Sequence, residues 1–345
     1  MSVPDNLGNF NMPAGRKIDA AKPFVLSFVL FEGRNPLNPR DAGRVRHAYF
    51  PYEDHLRHIP IMYFYMIKLE PIKVRCTWPV YKATTNEGKV VFVKVSTPEA
   101  LKKVSRFLSD VGCCRFLPKI VPLEIPELSG KDYLCFEWID AKHINAEDMT
   151  DTQADSLLTG YLQFSEAIAQ IKEVPARKEE EKTEFFYAKV MQYTKHHPVA
   201  AIFIRDLIDI PEDLRSCSNH KLVCIHGDFQ PLNYGFCGEE FSAVFDLESM
   251  TYGLACEDIA YAFTERARRS SLSDRKRKRL CELFVRCMHN SPWPEEDWMI
   301  AINRSRLRIA AHRIAKHPNS PFTAIDVAHR DKYLRKFQNA VFHNC

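Results

Sequence analysis

Between residues 222 and 248, two short apolar runs each end on an acid, and no other stretch constrains the chain as tightly. It reads Val223-Cys-Ile-His226-Gly227-Asp228-Phe-Gln-Pro-Leu-Asn233-Tyr-Gly-Phe236, then Ala243-Val-Phe-Asp246-Leu-Glu248. Short apolar runs bounded by turn residues read as buried strands, so Asp228 and Asp246 sit at strand tips. Asn233 follows Asp228 by five positions, in a loop containing Pro231. A loop of that size can set a carboxylate and an amide oxygen side by side. Two oxygen donors completed by phosphate oxygens are what Mg²⁺ usually receives, because it keeps an octahedral shell. A further acid can orient a hydroxyl for in-line attack. Phosphoryl transfer asks for little more than such positioning and charge neutralisation. Asp228 alone would read as a loop-capping carboxylate; with Asn233 and Asp246 at these spacings, a shared site is the stronger expectation.

The residues before this stretch alternate as a small sheet. Strands are expected at 72–77, 80–85 and 90–95, with a turn at Asn86-Glu87-Gly88, and two more at 120–123 and 133–139. Thr97-Pro98 opens a helix, Thr as N-cap and Pro at the first helical position, with Leu101, Val104, Phe107 and Leu108 as its apolar stripe. Residues 152–172, 185–208 and 274–289 read as helices, and 178–182 as a charged loop or helix start. Residues 1–22 are rich in Asn, Gly and Pro and read as a loose arm. Residues 23–69 hold apolar clusters of unassigned purpose.

The set H-x-D-x-x-x-x-N, then a strand and an Asp, resembles the catalytic and metal loops of protein-kinase-like phosphotransferases. His226-Gly227-Asp228, Asn233 and Asp246-Leu-Glu248 are most similar to the aminoglycoside phosphotransferase and choline kinase branch. Glu257-Asp258-Ile-Ala fits the same branch, where the Asp braces the site. The resemblance covers about residues 70–265. It implies an α+β, bilobal protein-kinase-like fold with a small five-stranded N-lobe (70–141) and a mostly helical C-lobe (142–345), preceded by an extension (1–69). It implies ATP and Mg²⁺ as cofactors, Asp228 as the catalytic hydroxyl-orienting carboxylate, Asn233 and Asp246 as metal ligands, and His226 as a structural brace. Lys94, in the alternation Val91-Phe-Val-Lys94-Val95, matches the lysine that meets the nucleotide phosphates. Its partner acid is expected to be Glu99, with Asp110 second. Thr77 stands in the expected nucleotide loop, which lacks the glycines protein kinases use there. The backbone of Glu137 and Ile139 matches the adenine-binding hinge.

Charge and composition narrow the partners. The chain of 345 residues has a formal charge of +4 and is 46% hydrophobic, which describes a globular protein with no nucleic-acid signature. No apolar run reaches the length of a membrane span. The eleven cysteines form no C-x-x-C pair; they read as small hydrophobes, and a reduced, cytoplasmic location is expected. Residues 265–345 carry 18 Lys or Arg against 8 Asp or Glu, which disfavours a polycationic acceptor. The run Arg275-Lys-Arg-Lys-Arg279 reads as a solvated helix face or as a site for an anionic surface. Arg304, Arg306, Arg308 and Arg313 would suit an anionic substrate if they face the cleft. Trp293-Pro-Glu-Glu-Asp-Trp298 reads as a helix start, or as an aromatic pocket for an ammonium. The expected activity is in-line phosphoryl transfer to a hydroxyl of a small molecule, a sugar or an amino alcohol. A non-enzymatic pseudokinase and a protein kinase are the alternatives. The second is disfavoured by Asp-Leu-Glu standing where protein kinases carry Asp-Phe-Gly.

Overall fold

The computed structural model describes residues 67–343 apart from 73–77, 113, 170, 172–178 and 218. The sheet forms where the alternation is strongest. Strands β1 (Lys68–Pro71), β2 (Val80–Thr84) and β3 (Val90–Val95) pair antiparallel in order, and β4 (Tyr133–Glu137) closes the sheet beside β3. Asn86-Glu87-Gly88 turns the β2–β3 hairpin, with Gly88 at φ 76° and Lys94 opposite Val80. Val91, Val93 and Val95 are buried against Ala83, Ile125, Leu128 and Cys135. Period-2 geometry therefore sends Phe92 and Lys94 to the other face.

Its first described strand is Lys68–Pro71; most of the strand expected at 72–77 lies outside the described residues. Pro71 is tolerated because β1 is an edge. Among the described residues this sheet has four strands, so the expected count of five is not confirmed there. Residues 120–123 contribute one bridge, Ile120 to Phe136, flanked by Val121 N–H on Cys135 O at 2.9 Å and Glu137 N–H on Lys119 O at 2.8 Å. Pro118 and Pro122 have no N–H, so the ladder stops there.

Helix α1 (Pro98–Val111) follows β3. Thr97 caps it by accepting from Ala100 N–H at 3.3 Å, and Gly112 ends it at φ 65°. Helix α2 (Asp151–Ile168) opens on a capping box of Thr150 and Gln153. The helix expected at 185–208 is broken into α3 (Glu179–His196), α4 (Pro198–Phe203) and α5 (Arg205–Ile208). Pro198 cannot donate into the preceding turn, so it starts a new helix instead.

Two antiparallel pairs then interrupt the helices. Strand β5 (Val223–Ile225) pairs with β8 (Thr251–Gly253), and β6 (Tyr234–Cys237) with β7 (Glu240–Val244). The chain finishes with α6 (Glu257–Ala267), α7 (Asp274–His289), α8 (Glu295–Lys316) and α9 (Thr323–His343). Their apolar faces enclose a core containing fully buried Tyr161, Phe164, Phe229, Tyr234, Phe241, Phe284 and Trp298. Cys224, Cys256 and Cys287 are buried in it, as small hydrophobes would be. A second cluster joins α3, α4, α5, α8 and α9 through Val190, Ala200, Leu207, Leu307 and Val327. Among the described residues no helix is long and apolar enough to cross a membrane.

Candidate active site

The β5–β6 loop (226–233) and the β7–β8 loop (245–250) leave the two strand pairs side by side. Phe229 is fully buried, with its ring stacked on Tyr234 at 4.7 Å and edge-on to Tyr161 at 5.1 Å. Burying a phenylalanine contributes about 2–3 kcal/mol, so this residue fastens the loop to the core while its neighbour Asp228 turns outward.

His226 ties the two loops together. Its Nε2 donates to Phe245 O at 2.6 Å and its Nδ1 accepts from Asp228 N–H at 3.2 Å. Those partners assign the ring proton to Nε2. Phe245 N–H donates to Asn233 O at 2.8 Å, adding a second tie. Asp258, at the start of α6, lies beneath. Its carboxylate accepts from His226 N–H at 2.6 Å, Gly227 N–H at 2.9 Å and Tyr161 OH at 2.9 Å. Burial raises its pKa above 3.8, and these hydrogen bonds oppose the rise without cancelling it. The same burial, with the Asp258 charge, pushes the Tyr161 phenol far up. Gly227 has φ 77°, and a Cβ there would stand 2.3 Å from Ser249 O. Only glycine permits that conformation and that approach of the two loops.

Asp228 presents its carboxylate with both oxygens engaged. Oδ2 accepts from Gln230 Nε2 at 3.0 Å and Asn233 Nδ2 at 3.1 Å; Oδ1 accepts from Arg308 at 2.9 Å. Asn233 Nδ2 also donates to Asp228 O at 2.8 Å. The Asn233 amide nitrogen thus faces Asp228, leaving its oxygen as the atom it can offer a cation.

Among the described residues Asp246 is the one non-glycine residue with positive φ, 59°. That conformation costs about 1–2 kcal/mol, and such outliers recur where a side chain must be aimed. The exposed carboxylate meets Lys94 Nζ at 2.7 Å, and Glu248 meets the same ammonium at 3.0 Å. Glu248 is tied further to the N-terminal region by Ser96 Oγ at 3.3 Å and, through its carbonyl, by Lys103 Nζ at 2.8 Å. Burial lowers the Lys94 pKa, but the charge and hydrogen bonds of Asp246 and Glu248 outweigh it, so the ammonium is held above its ordinary value. The carboxylates on Lys94 are therefore those two, and not the expected Glu99, which is exposed in the first turn of α1. Asp110 pairs with Arg106 instead, at 3.8 Å.

The structure thus gathers Asp228, Asn233, Asp246 and Lys94 around the two loops. Glu137 and Ile139 lie apart from them, at and just beyond the end of β4. Glu137 N–H is taken by Lys119 O at 2.8 Å, and Ile139 O by Ala141 N–H at 2.9 Å. What remains to offer is the Glu137 carbonyl and the Ile139 N–H, one acceptor and one donor. Thr77 lies outside the described residues. Glu248 and Arg308 are the site residues whose contacts sequence reasoning did not foresee. Glu248 was visible in the Asp-Leu-Glu triplet. Arg308 was visible only as one of four arginines on a helix.

The other three arginines are occupied elsewhere. Arg304 pairs with Glu257 at 3.2 Å, Arg306 with Asp331 at 2.8 Å, and Arg313 with Asp326. The basic run is absorbed largely by its own fold: Lys276 pairs with Asp148, Arg279 with Asp151, and Arg277 lies over the Tyr333 ring. Trp293-Pro-Glu-Glu-Asp is a helix start. Trp298 is fully buried and donates to Ser291 Oγ at 3.2 Å, and the acids occupy the first turn of α8.

A four-stranded antiparallel sheet with one helix, followed by helices that carry two loops on short strand pairs, defines a protein-kinase-like fold. Solved structures share it. An amicoumacin kinase in complex with AMP-PNP, Ca²⁺ and amicoumacin aligns with a TM-score of 0.51 at 14% identity, over 78% of this chain and 88% of that one. An ethanolamine kinase of Plasmodium vivax aligns at 0.51 and 16%, over 80% and 83%. An aminoglycoside phosphotransferase of Alicyclobacillus acidocaldarius aligns at 0.52 and 14%, over 80% and 93%. No curated protein sequence matches the chain. The model of the phosphotransferase enzyme family matches residues 68–287, and the chain belongs to that family.

Proposed function

We propose that the chain transfers the γ-phosphoryl group of ATP to a hydroxyl of a small molecule, a sugar or an amino alcohol. The observation that carries this reading is the junction of the two loops. His226, Asp258 and Gly227 hold Asp228 and Asn233 against the strand pair that aims Asp246 at Lys94. Residues 70–141 would serve as the nucleotide-binding part and 142–345 as the catalytic part, with 1–69 an extension without an assigned role. The structural neighbours include kinases of amicoumacin and ethanolamine, which supports a small acceptor.

The residues present suit a nucleotide and a hard cation. The Asp246 carboxylate and the Asn233 amide are oxygen donors, which is what Mg²⁺ prefers. Among the described residues, no three His, Cys, Asp or Glu side chains cluster as a metal cage; Mg²⁺ held jointly with phosphates does not need one. The ion would supply neutralisation of phosphate charge. Lys94, near Asp246 already, would meet the phosphates, and the Glu137 carbonyl and Ile139 N–H would face the adenine edge. Asp228 would accept a hydrogen bond from the acceptor hydroxyl. The hydroxyl oxygen then bonds to the γ-phosphorus, the bond from that phosphorus to the bridging oxygen breaks, ADP leaves, and the hydroxyl proton passes to Asp228.

The test is ADP release with Mg²⁺ and ATP across sugars, phosphorylated and acidic sugars, amino alcohols and aminoglycosides. Transfer to one class, lost in Asp228→Asn and in Asp246→Asn with the fold intact, is the expected result. Full turnover in either variant would refute the assignment. Tight nucleotide binding without transfer to any acceptor would favour a binding role instead.

A further inference from the structure

Arg308, on α8, occupies a place in the site that no loop motif accounts for. One guanidinium nitrogen donates to Asp228 Oδ1 at 2.9 Å, and another donates to Gly227 O. Its plane lies over the Tyr261 ring, 4.0 Å from the centroid. Gly227, Tyr261, Ser305, Glu257 and Arg308 together line a small pocket on the α6–α8 side of the catalytic loop.

Three consequences follow for a ligand entering that pocket. The charge of Asp228 is already countered by Arg308, so the carboxylate offers little attraction to an ammonium group. The Tyr261 face, which could receive a cation, is covered by the protein's own guanidinium. The other carboxylates in the wall are engaged as well: Glu257 is paired with Arg304 at 3.2 Å, and Asp258 accepts from Tyr161 OH and from the N–H groups of His226 and Gly227. A guanidinium carries five N–H donors, and the contacts to Gly227 and Asp228 leave donors in hand. Arg308 keeps 15% of its side chain exposed. The fork geometry suits a carboxylate or phosphate.

Resting on the phosphotransferase reading, we propose that Arg308 is the specificity-determining residue of the acceptor pocket, and that the acceptor is a hydroxyl compound bearing an oxyanion rather than an amine. The oxyanion is received by the outward edge of the Arg308 guanidinium. This sets the neighbouring hydroxyl beside Asp228. The wall that would attract a cationic acceptor is closed by the same side chain.

The experiment titrates the full chain, saturated with Mg²⁺ and AMP-PNP, with glycerol 3-phosphate, glycerol and ethanolamine, and follows binding by calorimetry. With the nucleotide site filled, glycerol 3-phosphate is expected to bind at least tenfold more tightly than ethanolamine. Arg308→Met should remove that preference, and Arg308→Lys should keep part of it. The preference of the wild type can be read even if Arg308→Met fails to fold. The proposal is overturned by ethanolamine binding as tightly as glycerol 3-phosphate, by no binding of glycerol 3-phosphate, or by a folded Arg308→Met that keeps the preference. Failure of AMP-PNP itself to bind would instead overturn the phosphotransferase reading.

Discussion

Lys94 meets the β7–β8 loop and Arg308 the β5–β6 loop, and their settings differ. Lys94 projects from a strand onto two carboxylates, one of them well exposed, and has no aromatic neighbour among its contacts. Arg308 projects from a helix onto one carboxylate and a backbone carbonyl and lies over a tyrosine ring. An ammonium held by ions alone can exchange a carboxylate partner for a phosphate. A guanidinium fixed by stacking and by the loop backbone is built to stay. The first arrangement suits a group that changes partners during turnover; the second suits one that shapes a pocket.

The largest expected effect breaks the Arg308 side. Asp228→Asn removes the proposed acceptor of the hydroxyl proton, and kcat should fall about 10³-fold, read as ADP release, while the melting temperature changes little. Gly227→Ala comes next, because its Cβ meets Ser249 O at 2.3 Å in a left-handed conformation. A loss of about 2–3 kcal/mol in a urea titration is expected; an unchanged midpoint would mean that the two loops are not in contact. Asp258→Asn should cost about 1–3 kcal/mol, since an amide cannot accept from every donor that meets the carboxylate. Its pH dependence has a definite sign. The folded pKa of Asp258 is raised, so between 3.8 and that raised value the folded state holds a proton the unfolded chain has lost. The advantage of wild type over Asp258→Asn should shrink as pH rises through that window and level off above it.

Lys94→Met gives the smallest change in stability, about 1 kcal/mol or less, because Asp246 is largely screened by solvent. Its larger effect is on nucleotide use: KM for ATP should rise about tenfold with KM for the acceptor unchanged, which sharpens the division between the two sides. The ion pair itself is pH-insensitive across the neutral range. The raised Lys94 pKa keeps its contribution present below 10.5 and removes it only as pH rises through the higher folded value.

The same contrast explains what sequence made legible. Strand alternation has a period of two, so Val91, Val93 and Val95 facing the core settle where Lys94 points. Thr97-Pro98 and Ser273-Asp274 are local caps, and both helices start where expected. Asp228, Asn233 and Asp246 were legible because a loop fixes its own spacing. Arg304, Arg306, Arg308 and Arg313 spread around a helix whose neighbours on every side come from distant segments, so spacing alone could not say which meets Asp228. The pairing of Lys94 with Glu248 likewise spans 154 positions and rests on how the two regions meet. The strand expected at 120–123, which forms a single bridge, is the opposite case. Pro118 and Pro122 were in plain view, and the apolar pattern of residues 120–123 outweighed them.

One consequence of His226 reaches beyond its hydrogen bonds. The ring reaches Asp228 N–H with one nitrogen and Phe245 O with the other, so the gap between the two loops equals the width of an imidazole. That ring acts as a spacer of fixed gauge. A shorter side chain would let the gap collapse, and a longer flexible one would let it drift. Because the proposed phosphoryl transfer depends on aligning groups from both loops, its tolerance would be set by an aromatic ring that does not bend.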